Sequence, residues 1–167
     1  TGSSGRVGSQ VVSQLLARGN CMRGFDMHAS DRVSDGYDEV VATLDSADAG
    51  AKAADGVDAV LHLGAFMSWA PQERAKMFLA NVEGTRVLLE AAAGAGVKRF
   101  VFASSGEVYP ENAPVTLPVT EDHPLRANSA YGLTKLLGEE MVAFHQRAGT
   151  MDTVILRFSH TQDATEL

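Results

Sequence analysis

The stretch TGSSGRVGSQVVSQLLARG, residues 1–19, sets Gly2, Gly5 and Gly8 directly ahead of an apolar pattern at helical spacing. Val7, Val11, Val12, Leu15 and Leu16 share one face of a helix, and Gly19 is a natural stop for it. Glycines so placed allow a tight turn and let backbone N–H groups approach an anion at the helix N-terminus. Three glycines spaced by two residues also suit an ordinary turn, so the reading depends on what comes after.

What comes after alternates between strand and helix. CMRGFD (21–26), DEVVAT (38–43), VDAVLHLGA (57–65), VKRFVFASS (97–105) and DTVILRFS (152–159) are short, apolar and β-rich. Between them SADAGAKAADG (46–56), PQERAKMFLANVEGTRVLLEAAAGAG (71–96) and SAYGLTKLLGEEMVAFHQRAG (129–149) carry helical spacing, with Pro71 near one start and Ser129 or Asn128 as the cap of another. This rhythm predicts an α/β fold, a doubly wound parallel sheet of the Rossmann-like kind. A glycine turn of this type needs a strand ahead of it, so the sequence is expected to be a fragment lacking its central first strand and a C-terminal substrate domain. Residues 1–158 are expected to form one nucleotide-binding domain and 159–167 to begin the connection onward. The segment 110–129 holds four of the five prolines and is expected to be an irregular surface excursion.

Composition narrows the function classes. Hydrophobic residues are 45% and charged residues 21%, ordinary for a globular domain, and the net charge is −7 with the acidic groups scattered. A nucleic-acid partner, which needs a basic face, is not expected. The apolar runs are too short to span a bilayer and no leader is visible, so no membrane partner and a cytoplasmic location are expected. The single cysteine, Cys21, excludes an internal disulfide and is expected to be a buried small residue in a strand. No metal site is expected.

Asp26 ends its strand 18 residues after Gly8, close to the spacing at which a carboxylate binds ribose hydroxyls beside a pyrophosphate loop. A solvated loop aspartate is the plainer alternative. As a ribose ligand Asp26 would repel a 2′-phosphate and favour NAD over NADP, although nearby Arg23 and His28 leave room for some phosphate tolerance. In YGLTK, Tyr131 and Lys135 are four apart and share a helix face. An ammonium beside a phenol stabilises phenolate, which would let Tyr131 take a proton from an alcohol, with Ser105 hydrogen-bonding the same oxygen. Tyr and Lys at that spacing also occur in helices without function.

Taken in order, TGSSGRVG, Asp26, VDAVLHLGA, NVEGTRVLLEAA, RFVFASSGEVY and YGLTK resemble the extended short-chain dehydrogenase/reductases, in particular the NAD-dependent sugar epimerase/dehydratase group. The resemblance runs from Thr1 to about Phe158. It implies NAD as cofactor, held by Gly2, Gly5 and Gly8, with Arg6 and Val7 supplying backbone contacts and Asp26 on the adenosine ribose. It implies that His62, Leu63, Gly64 and Ala65 line the cofactor through backbone atoms, with no catalytic role for the His62 side chain. Asn81 would steady the site, and Ser105, Tyr131 and Lys135 would be the catalytic triad, Lys135 also binding the nicotinamide ribose. A homodimer through the helices within 71–95 and 129–148 is implied too, with Met77, Leu88, Met141 and Phe144 compatible with such a contact and with ordinary core packing.

Three departures from the family pattern bear on substrate. Dehydratases place Thr-Asp-Glu where this chain has Ser105, Gly106 and Glu107, and Gly106 cannot expel water as an acid. Sugar dehydration therefore loses ground, and Glu107 is left either as a second acid/base or as a loop holder. An adenine-binding Asp is replaced by Thr43, followed by Leu44. His160 replaces a substrate-touching Asn, and Gln162, Asp163 and Ala164 replace Tyr-Gly-Pro. Phe66, Met67, Ser68 and Trp69 are expected at the pocket wall, Trp69 equally as loop packing. The resemblance thus implies an NAD-dependent oxidoreductase or epimerase acting on a sugar or sugar-nucleotide alcohol. The alternatives are a uronate- or steroid-type alcohol dehydrogenase releasing NADH and, from another class, a non-catalytic dinucleotide sensor.

Overall fold

The computed structural model describes residues 1–110, 114–159 and 161. Among the described residues five α-helices and five strands follow in the order α1 (Arg6–Ala17), β1 (Met22–Asp26), β2 (Tyr37–Val41), α2 (Ala47–Ala54), β3 (Ala59–His62), α3 (Arg74–Phe78), α4 (Gly84–Gly94), β4 (Arg99–Ser105), α5 (Ala130–Arg147) and β5 (Asp152–Phe158). Local chemistry explains the helix starts. Ser46 caps α2 by accepting from Ala49 N, Ser129 caps α5 by accepting from Gly132 N, and Pro71 opens the 3-10 turn Pro71–Glu73 ahead of α3. The long helix expected over 71–96 is present as one helical run. Its middle is a π-helical segment, Leu79–Glu83, which periodicity alone does not announce.

All strand pairs are parallel, as the alternation requires. β1 pairs β2, and β3, β4 and β5 form a separate sheet in that order. The two sheets are linked at Thr1 and Gly2, where the Thr1 amine donates to Leu61 O at 2.7 Å and Gly2 N donates to Phe25 O at 2.9 Å. Beyond that link lies a cavity of about 950 Å³, lined by Val11, Val12, Leu15, Phe25, Val60 and Leu88 among others. It is lined by β1 and β3 alike, and the apolar face of α1 beside it is only partly covered: Val12 is buried, while Val7, Val11, Leu15 and Leu16 are half-buried.

The core gathers Phe25, Val40, Leu88, Leu89, Phe100, Phe102, Val142 and Met151. Phe100 and Phe102 are fully enclosed between α4, α5 and the sheet, each worth roughly 1.5–3 kcal/mol in transfer free energy. Met77 and Leu88 are both buried, at 1% exposure, Leu88 within this core, so neither presents a surface for a dimer contact. Cys21 is corrected as well: it is exposed, because β1 begins one residue later and Cys21 borders the cavity. The residues described between 110 and 129 form no helix or strand, as expected of an excursion. No helix among the described residues is long and apolar enough to cross a membrane.

Candidate active site

The glycine loop is built by its own backbone. Gly2 has φ +68, a conformation L side chains avoid, and Gly5 N donates to Gly2 O at 3.0 Å. Gly8, in the first turn of α1, lies so close that an added Cβ would sit 1.9 Å from Gly2 O. Gly5 is the N-cap of α1, with no side-chain cap, and no acidic residue enters the first turn. The positive end of the helix dipole is thus left without a carboxylate of its own beside the loop, the arrangement a pyrophosphate fits.

Asp26 closes β1 next to that loop. Ser4 N donates to its Oδ2 at 3.1 Å and His28 N to its Oδ1 at 3.0 Å, so the carboxylate is oriented by two backbone donors. His28 lies beside it, with Nδ1 3.6 Å from Oδ1. Arg23 does not reach this place. It pairs with Asp38, its register partner on β2, at 2.8 Å and donates to the carbonyls of Lys52 and Asp55. The phosphate tolerance expected from Arg23 therefore has no structural basis. Leu44 is half-buried against the core at Gly64 and Gly84, while Thr43 is exposed. Asp26→Ala is expected to weaken NAD binding about tenfold or more, the loss of a charge-assisted hydrogen bond, and to weaken NADP less. Titration of both nucleotides checks this, and an unchanged preference removes Asp26 from the site.

Behind the loop, a buried polar string ties β3 to the helices. Thr85 gives its one proton to Asn81 O at 2.5 Å, so His62 Nε2, 2.9 Å from Thr85 Oγ1, is the donor there and Nδ1 accepts from Thr1 Oγ1 at 2.7 Å. Burial, with Lys135 adding to it, holds His62 well below the usual histidine range, so the ring is neutral and structural. Asn81 sits in the π-helical segment and clamps the turn after β3. Its Oδ1 accepts from Phe66 N at 2.7 Å, and its Nδ2 donates to Phe66 O at 2.8 Å and to Thr134 Oγ1 at 3.0 Å. Leu63 and Gly64 are half-buried and Ala65 is exposed along this turn. The Phe66 ring lies under Lys76 Nζ at 4.2 Å, and Ser68 donates to Glu73. Met67 and Trp69 are more than half exposed.

Ser105 ends β4, and Tyr131 and Lys135 lie in the first turns of α5, which packs on that strand. Ser105 is buried at the strand end, its Oγ accepting from Glu107 N at 3.1 Å. Lys135 is 3% exposed and donates from Nζ to Ala103 O at 2.7 Å, with the Tyr131 ring centroid 5.7 Å away. Burial pushes Lys135 down to about 8. It pushes Tyr131 up to about 12, and the Glu107 carboxylate adds to that rise. This is opposite in sense to the lowering expected from the Tyr-Lys spacing. The ammonium is committed to a backbone carbonyl of β4, and the phenol makes no hydrogen bond to any described residue.

The sequence profile of the NAD dependent epimerase/dehydratase family matches residues 1–162. The chain belongs to this family. A crystal structure of a short-chain dehydrogenase/reductase superfamily protein from Agrobacterium tumefaciens with bound NAD is 67% identical and superposes with a TM-score of 0.93, covering 99% of this chain and 50% of that one. A 3 beta-hydroxysteroid dehydrogenase/Delta 5-->4-isomerase of Mycobacterium tuberculosis is 34% identical over 94% of this chain and 45% of its own length. A uronate dehydrogenase of Pseudomonas syringae pv. tomato is 33% identical over 94% of this chain and 56% of its own length. The chain thus spans about half the length of these relatives. NAD is the cofactor of this epimerase/dehydratase family, and the bare glycine cradle with its oriented Asp26 fits it.

Within this family member, two arrangements escaped the sequence reading. Glu139 is buried on α5 and takes Ser104 Oγ at 2.5 Å, Arg157 Nε at 2.9 Å and Arg157 Nη2 at 2.8 Å, while Arg157 Nη1 donates to Tyr109 Oη and Glu121 O, each at 2.8 Å. The network fastens the backbone at Glu121 to β4, β5 and α5, and nothing in LLGEE or LRF signals it because every partner is distant in sequence. The second is the bond from Ser129 Oγ to the Glu107 carboxylate. His160, with Gln162, Asp163 and Ala164, lies outside the described residues.

Proposed function

We propose that the protein carrying this chain is an NAD-dependent oxidoreductase or epimerase working on a secondary alcohol of a carbohydrate-like substrate. The observation that supports the reading is that α5, which carries Tyr131 and Lys135, packs on β4, with the Lys135 ammonium bonded to Ala103 O two residues before Ser105. Gly2, Gly5 and Gly8, with the backbone of Arg6 and Val7, would hold the pyrophosphate. Asp26 would take the adenosine ribose, Thr43 and Leu44 the adenine side, and Leu63, Gly64 and Ala65 the wall beneath. NAD, when bound, supplies the hydride acceptor. Tyr131 removes the substrate hydroxyl proton, Ser105 donates a hydrogen bond to the same oxygen, and the Lys135 ammonium stabilises the phenolate and reaches the nicotinamide ribose. Phe66, Gly106 and Glu107 border the substrate side, with His160 further along the chain.

The same reading includes a homodimer. Leu133, Leu137 and Phe144 leave an apolar stripe exposed along α5, with Met141 half-buried beside it. Between the enzyme readings, net dehydrogenation draws support from similarity to a uronate dehydrogenase and a steroid dehydrogenase, and from Gly106, which removes one dehydratase acid. Incubating the purified protein with NAD and free uronates, sterols or nucleotide sugars separates the outcomes. Stoichiometric NADH with an oxidised uronate is expected; a sugar epimer formed without NADH accumulation selects epimerisation. Turnover of none of them, with NAD bound, favours the dinucleotide sensor. Sedimentation of the same preparation should give two copies per particle, and a monomer overturns the dimer.

A further inference from the structure

At Ser105 the chain leaves β4 and turns at once through the 3-10 segment Gly106–Val108. This turn is the floor on which α5 begins: a Cβ placed on Gly132 would lie 2.3 Å from the Glu107 carbonyl oxygen. The Glu107 side chain then reaches the helix cap. Its Oε2 accepts the Ser129 hydroxyl proton, while Ser129 Oγ accepts from Gly132 N at 2.8 Å. An ionised carboxylate can only accept, so the single Ser129 proton is pinned toward Glu107 and the serine lone pair toward Gly132. Tyr131 lies between these two positions in the first turn.

We propose that Glu107 is a positioning residue for the proton-transfer step: it fixes the first turn of α5 through Ser129, and with it the Tyr131 phenol, and is not itself an acid or base toward substrate. The inference rests on Tyr131 being the acid/base, as proposed above. Two charged groups bear on the phenol, Lys135 from its own helix and Glu107 from the turn beneath. The Glu107 charge opposes phenolate formation, which is the wrong sense for an activating partner and the right sense for a group whose work is to hold the helix.

The test is steady-state kinetics and pH profiles of Glu107→Gln, Glu107→Ala, Ser129→Ala and the Glu107→Ala/Ser129→Ala double variant, beside Tyr131→Phe. Glu107→Gln keeps an acceptor for Ser129, so kcat should stay within about tenfold, and the ultraviolet titration of the phenol, read as the difference from Tyr131→Phe, should move to lower pH. Glu107→Ala and Ser129→Ala should each lower kcat by about ten- to a hundredfold, with KM little changed, and the double variant should be no worse than the weaker single. A Glu107→Gln loss beyond about tenfold, a phenol titration that stays in place, or single losses that multiply in the double variant overturns the inference. An active Tyr131→Phe sinks the underlying reading instead; an inactive one alongside multiplying losses sinks only the role of Glu107. If the alanine variants fail to fold by circular dichroism, the Gln variant and its phenol titration decide alone.

Discussion

Tyr131→Phe is expected to lower turnover by about 10²–10⁴-fold, the span general acid–base catalysis supplies, while NAD affinity stays near its native value. The substitution removes one oxygen from a ring whose hydroxyl bonds no described residue, and it keeps the ring beside Lys135 at α5. Folding should therefore be unaffected, and the loss should fall on kcat. The pH dependence has a definite sign. Oxidation needs Tyr131 deprotonated and Lys135 protonated, a state that belongs to the pair rather than to either group. Burial raises the phenol to about 12 and lowers the ammonium to about 8, so the oxidation rate should climb with pH up to about 8 and then level off, because above that point the loss of ammonium cancels the gain of phenolate. Reduction, which starts from the protonated phenol, should lack the acid limb. Stopped-flow measurement of both directions checks this; near-native turnover in Tyr131→Phe removes the residue from the chemistry.

How far such a site is legible in sequence depends on whether each feature is local. Strand and helix positions are local, and β4, α5 and the Ser129 cap lie where apolar spacing and capping chemistry put them. The glycine loop is legible for the same reason, since Gly2, Gly5 and Gly8 touch one another within a single turn. Side-chain direction is another matter. The spacing of Tyr131 and Lys135 puts both on one helix face, but only the approach of β4 supplies Ala103 O as the partner that draws the ammonium, and it is burial, with the Glu107 carboxylate, that raises the phenol. Arg23 fails for a parallel reason. Its neighbour in the chain is Asp26, whereas its neighbour in space is Asp38, and the β1–β2 register that joins them is a tertiary fact. Asn81 is visible as a motif residue, but the π-helical segment that turns its amide onto Phe66 is not. Glu139 and Arg157 look like two more surface charges, although both are held in one network at the back of the site.

The second large effect is expected from the glycine cradle. In Gly8→Ala the new methyl would sit 1.9 Å from Gly2 O, and that neighbour is backbone, so it cannot swing aside as a long side chain would. Either α1 moves away from the loop or the loop opens at Gly2, whose φ of +68 already limits it. Both responses displace N–H groups at the helix N-terminus from the place a pyrophosphate needs. Losing even two charge-assisted hydrogen bonds costs about 3–6 kcal/mol, so NAD affinity should drop by roughly a hundredfold or more. Gly94→Ala is the matched control, because a Cβ there meets nothing within 4 Å at the end of α4 and its φ is not positive. Calorimetric titration with NAD, paired with thermal melts in its absence and presence, reads both variants. Gly94→Ala should bind and melt like the native protein, whereas Gly8→Ala should lose the rise in Tm on adding NAD. Because ligand stabilisation scales with the logarithm of occupancy, a Gly8→Ala protein that folds and keeps the full NAD-dependent rise would place the pyrophosphate somewhere other than this loop.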